Sequence, residues 1–132
     1  MGIRTFYLIA ALLLAGCSDY TDVDEGGTFI VAVSGEQFRV RINNVALARR
    51  ARRMLTGAEE QKIVVGQLDR GDGGFNAPYH WHMKPATISF ADLTIELCDG
   101  RPSDVEGDIA YWVDTVKQYC PWGGAFVAEV GN

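Results

Sequence analysis

The sequence predicts an α+β fold: a single domain with an antiparallel sheet of about six strands and two helices. Three observations carry this. Phe38, Val40 and Ile42 alternate with Arg39 and Arg41, the period of a half-buried strand. Leu47, Ala51, Met54 and Ala58 recur at helical spacing, and so do Val105, Ile109, Trp112, Val113 and Val116. The elements follow one another without the regular strand–helix alternation of a doubly wound fold, so antiparallel pairing is expected.

Taken in order, Phe29–Val33 is an apolar strand bounded by Ser34-Gly35, and Phe38–Asn43 pairs with it as a hairpin. Asn44–Leu55 is a helix, capped by Asn43 or Asn44 and ended by Gly57. Lys62–Leu68 is a strand. Asp69–Gly74 is a loop, because its glycines reach backbone angles that other residues resist. Tyr79–Met83, Thr87–Phe90 and Leu93–Leu97 read as strands. The inward parity changes between Phe90 and Leu93, so Ala91-Asp92 should hold a turn or bulge. Ser103 and Glu106 fit a capping box for a helix that Pro121 stops, and Gly124–Val130 closes the domain as a strand.

The N-terminus carries the strongest local signal. Arg4 precedes a continuous apolar run, Phe6–Leu14, which is too short to span a bilayer. Leu14-Ala15-Gly16-Cys17 then resembles the lipobox of bacterial lipoprotein precursors. That resemblance implies a signal peptide over residues 1–16 and lipid on Cys17, with Ser18 fitting outer-membrane delivery, facing the periplasm. Residues 17–28 are expected to be the lipidated Cys and an acidic flexible tether, and residues 29–132 the globular domain.

Cys98 and Cys120 remain, and in an oxidising compartment an even pair reads as one disulfide. A thiolate pair on a metal or two free thiols are the alternatives. The net charge of −5 argues against nucleic acid as a partner and against charge-driven adhesion to anionic lipid. Membrane affinity would then come from the acyl chains on Cys17.

Tyr79-His80-Trp81-His82-Met83 is the most suggestive stretch chemically. On a strand His80 and His82 share a face and could hold one metal, with Glu96, Asp92 or Asp99 as a third ligand. Alternatively, Tyr79 and Trp81 are core and the histidines are outside. Arg49, Arg50, Arg52 and Arg53 make a basic amphipathic helix that could bind a calmodulin-type partner or a membrane, although its small apolar side suits a solvated face. The Asp69–Gly74 loop, followed by Asn76, lacks the acidic spacing of a calcium loop. No nucleophile elbow, phosphate loop, zinc-protease helix or dinucleotide fingerprint is present, so no cofactor is expected.

The words FRVRI, ARRML-G, VVGQLDRGDGGFN-PY-WH, FADLTIELCDGRPSDVE and YCPWGGAFVAEV together resemble a group of small secreted bacterial proteins often labelled "calmodulin-binding protein". These are similar to the N-terminal domain of a slime-mould calmodulin-binding protein. The resemblance spans about Phe29–Val130. The group usually has Ser where this chain has His80, so the shared elements are Trp81, His82, Glu96, Cys98, Asp99 and Cys120. It supplies no catalytic residues.

The function expected from sequence is an envelope lipoprotein whose non-enzymatic domain binds a protein or small ligand, with Trp81, His82, Glu96 and Asp99 as candidate binding residues. A metal-binding protein or small metal-dependent hydrolase using His82 with nearby carboxylates is the alternative. A disulfide-stapled scaffold that inhibits an envelope enzyme is a further reading. His82 and Glu96 are expected to pair if their strands are neighbours.

Overall fold

The computed structural model describes residues 25–131. Strands β1 (Gly27–Val33) and β2 (Glu36–Ile42) form the expected hairpin, in register from Gly27↔Ile42 to Val33↔Glu36. Its turn needs two residues at positive φ, and Ser34 (48°) and Gly35 (80°) supply them. β1 begins at Gly27, so the last two residues assigned to the tether are strand. Strand β7 (Ala125–Glu129) pairs with the other edge of β1, giving the order β2-β1-β7. Phe29, Val31, Val33, Phe38, Val40 and Ile42 point inward and are buried, as the alternation requires.

Helix α1 (Val45–Thr56) is capped as expected: Asn44 Oδ1 accepts the Leu47 N–H at 3.0 Å, and Gly57 ends it at φ 78°. It buries Ala48, Ala51 and Met54. These small residues let the helix lie close to the sheet.

The second sheet is built on β3 (Ile63–Arg70), which pairs antiparallel with β4 (Trp81–Met83), β5 (Ser89–Ala91) and the short β6 (Gln118–Tyr119). The domain is therefore α+β and antiparallel, with sheets of three and four strands instead of one. Aromatic side chains join the layers. Buried Tyr119 packs against Phe38 of the first sheet (5.4 Å), Trp81 of the second (5.4 Å) and Trp112 (5.8 Å). Each such contact is worth about 0.5–1.5 kcal/mol beyond area burial. Its hydroxyl donates to Gly100 O at 2.7 Å, and burial pushes its pKa far up.

Two expectations need correction. Leu93–Leu97 is not a strand: the chain leaves the sheet after Ala91 and enters a 3-10 turn, Glu96–Cys98. The segment Ser103–Tyr119 is not one helix. It is α2 (Pro102–Gly107), α3 (Ile109–Tyr111), a π-helical turn (Trp112–Val116) and β6. Asp108, at φ −151° and ψ 67°, breaks the helix, and its side chain caps the next piece at Tyr111 N–H. The Ser103/Glu106 capping box does not form either. Pro102 takes the first helical position, and the Asp104 carboxylate accepts the Arg101 N–H at 2.8 Å. Ser103 instead donates to Glu36 through its N–H and its hydroxyl.

The π-turn ends at Lys117, whose φ is 69°. A side chain in this left-handed region costs about 1–2 kcal/mol per residue. Gly57 holds the corresponding position after α1.

Candidate functional site

The residues singled out from sequence fall in two separate places. Trp81 and His82 lie on β4, while Glu96 and Asp99 flank Cys98. Trp81 is fully buried in the aromatic core, and its indole N–H has no hydrogen-bond partner there. His82 packs edge-on against Phe75 and over Gly73, where a Cβ would come within 2.7 Å of the ring. Its Nδ1–H donates to Gly71 O at 2.8 Å. The expected His82–Glu96 pair is therefore absent, and the loop backbone orients His82 instead.

His80 turns elsewhere. Its ring Nδ1 and backbone N–H both meet the Glu106 carboxylate. That hydrogen bond and the nearby negative charge raise the His80 pKa. Burial pushes the Glu106 carboxyl up, but bonds from the His80 side chain and backbone outweigh it, so its pKa lies below the usual value. Among the described residues no three of His, Cys, Asp and Glu converge as a metal site requires. Asp92, a possible third ligand, pairs with Lys62.

The Asp69–Gly74 loop is closed by its own bonds. Asp72 Oδ1 accepts the Gly74 N–H, and Asp72 O accepts from Phe75 and Asn76. Asn76, also buried, reaches from there to β2, accepting the Arg39 N–H at 2.8 Å and donating to Trp81 O at 2.8 Å. The α1 arginines are likewise engaged. Arg50 and Arg53 meet Glu59, and Arg52 meets Glu129. The apolar side of α1 is buried under the sheet, so it offers no free face to a groove-binding partner.

The second place has the character of a binding surface. Leu93, Ile95 and Leu97 are 84%, 67% and 57% exposed, and Trp122 adds a further 38% exposed indole. Adjacent large apolar side chains left in water mark interaction sites. The backbone beneath them is held firmly. Cys98 and Cys120 form a disulfide, with Cα atoms 5.1 Å apart, and the Cys120 N–H donates to Cys98 O at 2.8 Å. Trp122 donates its backbone N–H to Asp99 Oδ1 at 2.7 Å, and its indole N–H to Thr94 Oγ1. Ile95 is extended, at φ −80° and ψ 152°. Asp99 thus props the surface from below, and Glu96 stands exposed within it. Leu93, Ile95, Leu97 and Trp122 were absent from the residues expected to bind. The alternation that made Leu93–Leu97 read as a strand carried no sign that its apolar side would stay uncovered.

The chain belongs to the N-terminal domain family of the calmodulin-binding proteins, whose family model matches residues 25–132. This agrees with the family that the sequence words resemble. No curated protein and no solved structure matches the chain.

Proposed function

We propose that this protein is an envelope lipoprotein, held to the membrane by lipid on Cys17, whose domain is a non-enzymatic protein-binding module. Cys17 lies outside the described residues, and the lipobox resemblance supports its role. The observation that carries the binding reading is the exposed row Leu93, Ile95 and Leu97 on a backbone fixed by the Cys98–Cys120 disulfide. A rigid, extended, apolar segment suits a partner that takes a peptide strand in a cleft with side-chain pockets. Fixing the segment beforehand removes the ordering cost of binding. The same geometry serves an inhibitor that occupies an enzyme's cleft.

Charge narrows the partner. Asp92 and Glu96 flank the apolar side chains and the chain carries −5, so the complementary cleft has a basic rim. The same acids oppose insertion into anionic lipid.

A photo-crosslinking residue placed at 93, 95 or 97 of the full chain, in its own envelope, tests this. Discrete protein adducts are expected from all three positions and not from exposed Ala46 on α1. Adducts to lipid alone, or the same adducts from position 46, would overturn the reading. The anchor is tested separately by fatty-acid labelling of Cys17→Ala, which should abolish incorporation and membrane recovery.

A further inference from the structure

We propose a second, independent binding site: the cleft between the π-helical turn and β3 takes a carboxylate on a short aliphatic body, held by Lys84 and Lys117. The cleft measures about 410 Å3 and has two kinds of wall. Val113 and Val116 are its apolar side; Gln67, Gln118, Asp69 and the two lysines are its polar side.

The backbone sets the two lysines on either side of one peptide. Lys84 N–H donates to Gln67 O at 2.8 Å, and the next amide, Leu68 N–H, donates to Lys117 O at 2.8 Å. Carbonyl and amide of one peptide point in opposite directions, so the lysines bracket β3 across the cleft floor. Neither ammonium makes an ion pair or side-chain hydrogen bond among the described residues. Arg70, close by, is already neutralised by Asp114.

Lys117 carries the argument furthest. It is one of only two non-glycine residues at positive φ among those described, the other being Ser34 in the hairpin turn. Glycine holds the equivalent helix end at Gly57 and would relieve the strain here. A long cationic side chain held in that strained position, at the mouth of a cleft, points to use of its charge.

The balance of charge selects the ligand. Two free cations face one carboxylate, Asp69, whose Oδ1 accepts the Arg70 N–H. A single negative charge fits that balance, whereas a dianionic phosphate would meet Asp69 unfavourably. The valines account for a short aliphatic body.

The experiment is an NMR titration of the full chain with hexanoate, with hexanamide as the uncharged control. A second arm uses N-acetyl-alanyl-leucine, to separate a free fatty acid from a peptide C-terminus as the source of the carboxylate. Saturable shifts at Lys117, Gln67 and Val113 are expected with at least one of the two acids and not with the amide. Lys84→Gln and Lys117→Gln should each weaken that binding about tenfold, the loss of one charged hydrogen bond. Lys117→Gly should raise the melting temperature and still lose binding, which a purely structural lysine would not do. Binding of hexanamide equal to hexanoate, no saturable shift with either acid, unchanged affinity in the double Gln variant, or a lower melting temperature for Lys117→Gly would each overturn the proposal.

Discussion

Gln61 and Phe126 are joined like two paired strand residues, although one partner is a side chain. Phe126 N–H donates to Gln61 Oε1 at 3.0 Å, and Gln61 Nε2 donates to Phe126 O at 3.3 Å. The same amide also donates to Met54 O in the last turn of α1. Asn76 does the equivalent at the other edge of this sheet, on Arg39. Two side-chain amides thus occupy mid-strand positions on both outer strands, β2 and β7. Bare edges invite pairing with other chains, and here each edge ties the sheet to the rest of the fold.

Gln61→Ala should therefore destabilise the domain by about 1–2 kcal/mol, the effect of stranding part-buried backbone groups. Gln61→Glu should be worse than Ala at neutral pH, because a carboxylate cannot donate to Phe126 O or Met54 O. Protonation restores a donor beside an acceptor, so the Glu variant should recover stability as pH falls. Urea unfolding of both variants at two pH values checks this, and a Glu variant that behaves like Ala at every pH would refute it.

The two histidines should differ in mutation. His82 holds the Gly71 carbonyl and fills the space between Gly73 and Phe75. His82→Ala should lower stability by about 1–2 kcal/mol. His80 lies on the surface, and His80→Ala should lower it less. Comparable melting temperatures for the two variants would show that His82 does not order the Asp69–Gly74 loop.

The His80–Glu106 pair predicts a direction in pH. The His80 pKa is raised, so its contribution is complete below the unfolded value, near 6.5, and is lost as pH rises through the folded one. The Glu106 pKa is lowered, so its contribution is present above the unfolded carboxyl value and is lost as pH falls through the folded one. The pair therefore stabilises most in the mildly acidic window where both are charged. Glu106→Gln should lower the His80 pKa in an NMR titration and flatten stability between about pH 5 and 8. An unmoved His80 titration would sink the assignment.

Much of the fold was legible in the sequence because local chemistry and packing agree there. The β1–β2 hairpin, α1 with its Asn44 cap and Gly57 end, β3 and β7 follow from period and punctuation alone. Where they failed, a longer-range constraint won. Alternation in Leu93–Leu97 shows which side chains could share a face, and it is silent on whether anything covers that face. The disulfide and Trp122 draw the segment away from the sheet, so the apolar side chains remain in water. The apolar period from Val105 to Val116 survives the break at Asp108 because the π-turn still buries Trp112. Sequence separation hid the amide contacts altogether, since Gln61 and Phe126 lie 65 residues apart. The His82–Glu96 pairing required β4 to neighbour a strand that does not form.

The disulfide gives the last prediction, because it carries both stability and the binding surface. It closes a sequence separation of 22 residues. Cys98→Ala with Cys120→Ala should destabilise the domain by about 3 kcal/mol, from the freedom returned to the unfolded chain. That loss alone would be shared by the whole fold. The structure predicts an added local effect, because both the Cys120–Cys98 backbone bond and the Trp122 contacts with Thr94 and Asp99 depend on the two segments staying together. The exposed leucines at 93 and 97 should then become the first sites cut by chymotrypsin, under conditions where the rest of the domain stays folded. Limited proteolysis read by mass spectrometry measures this. Uniform cleavage, or cleavage elsewhere first, would mean that the loop holds its shape without the disulfide and that its rigidity has another source.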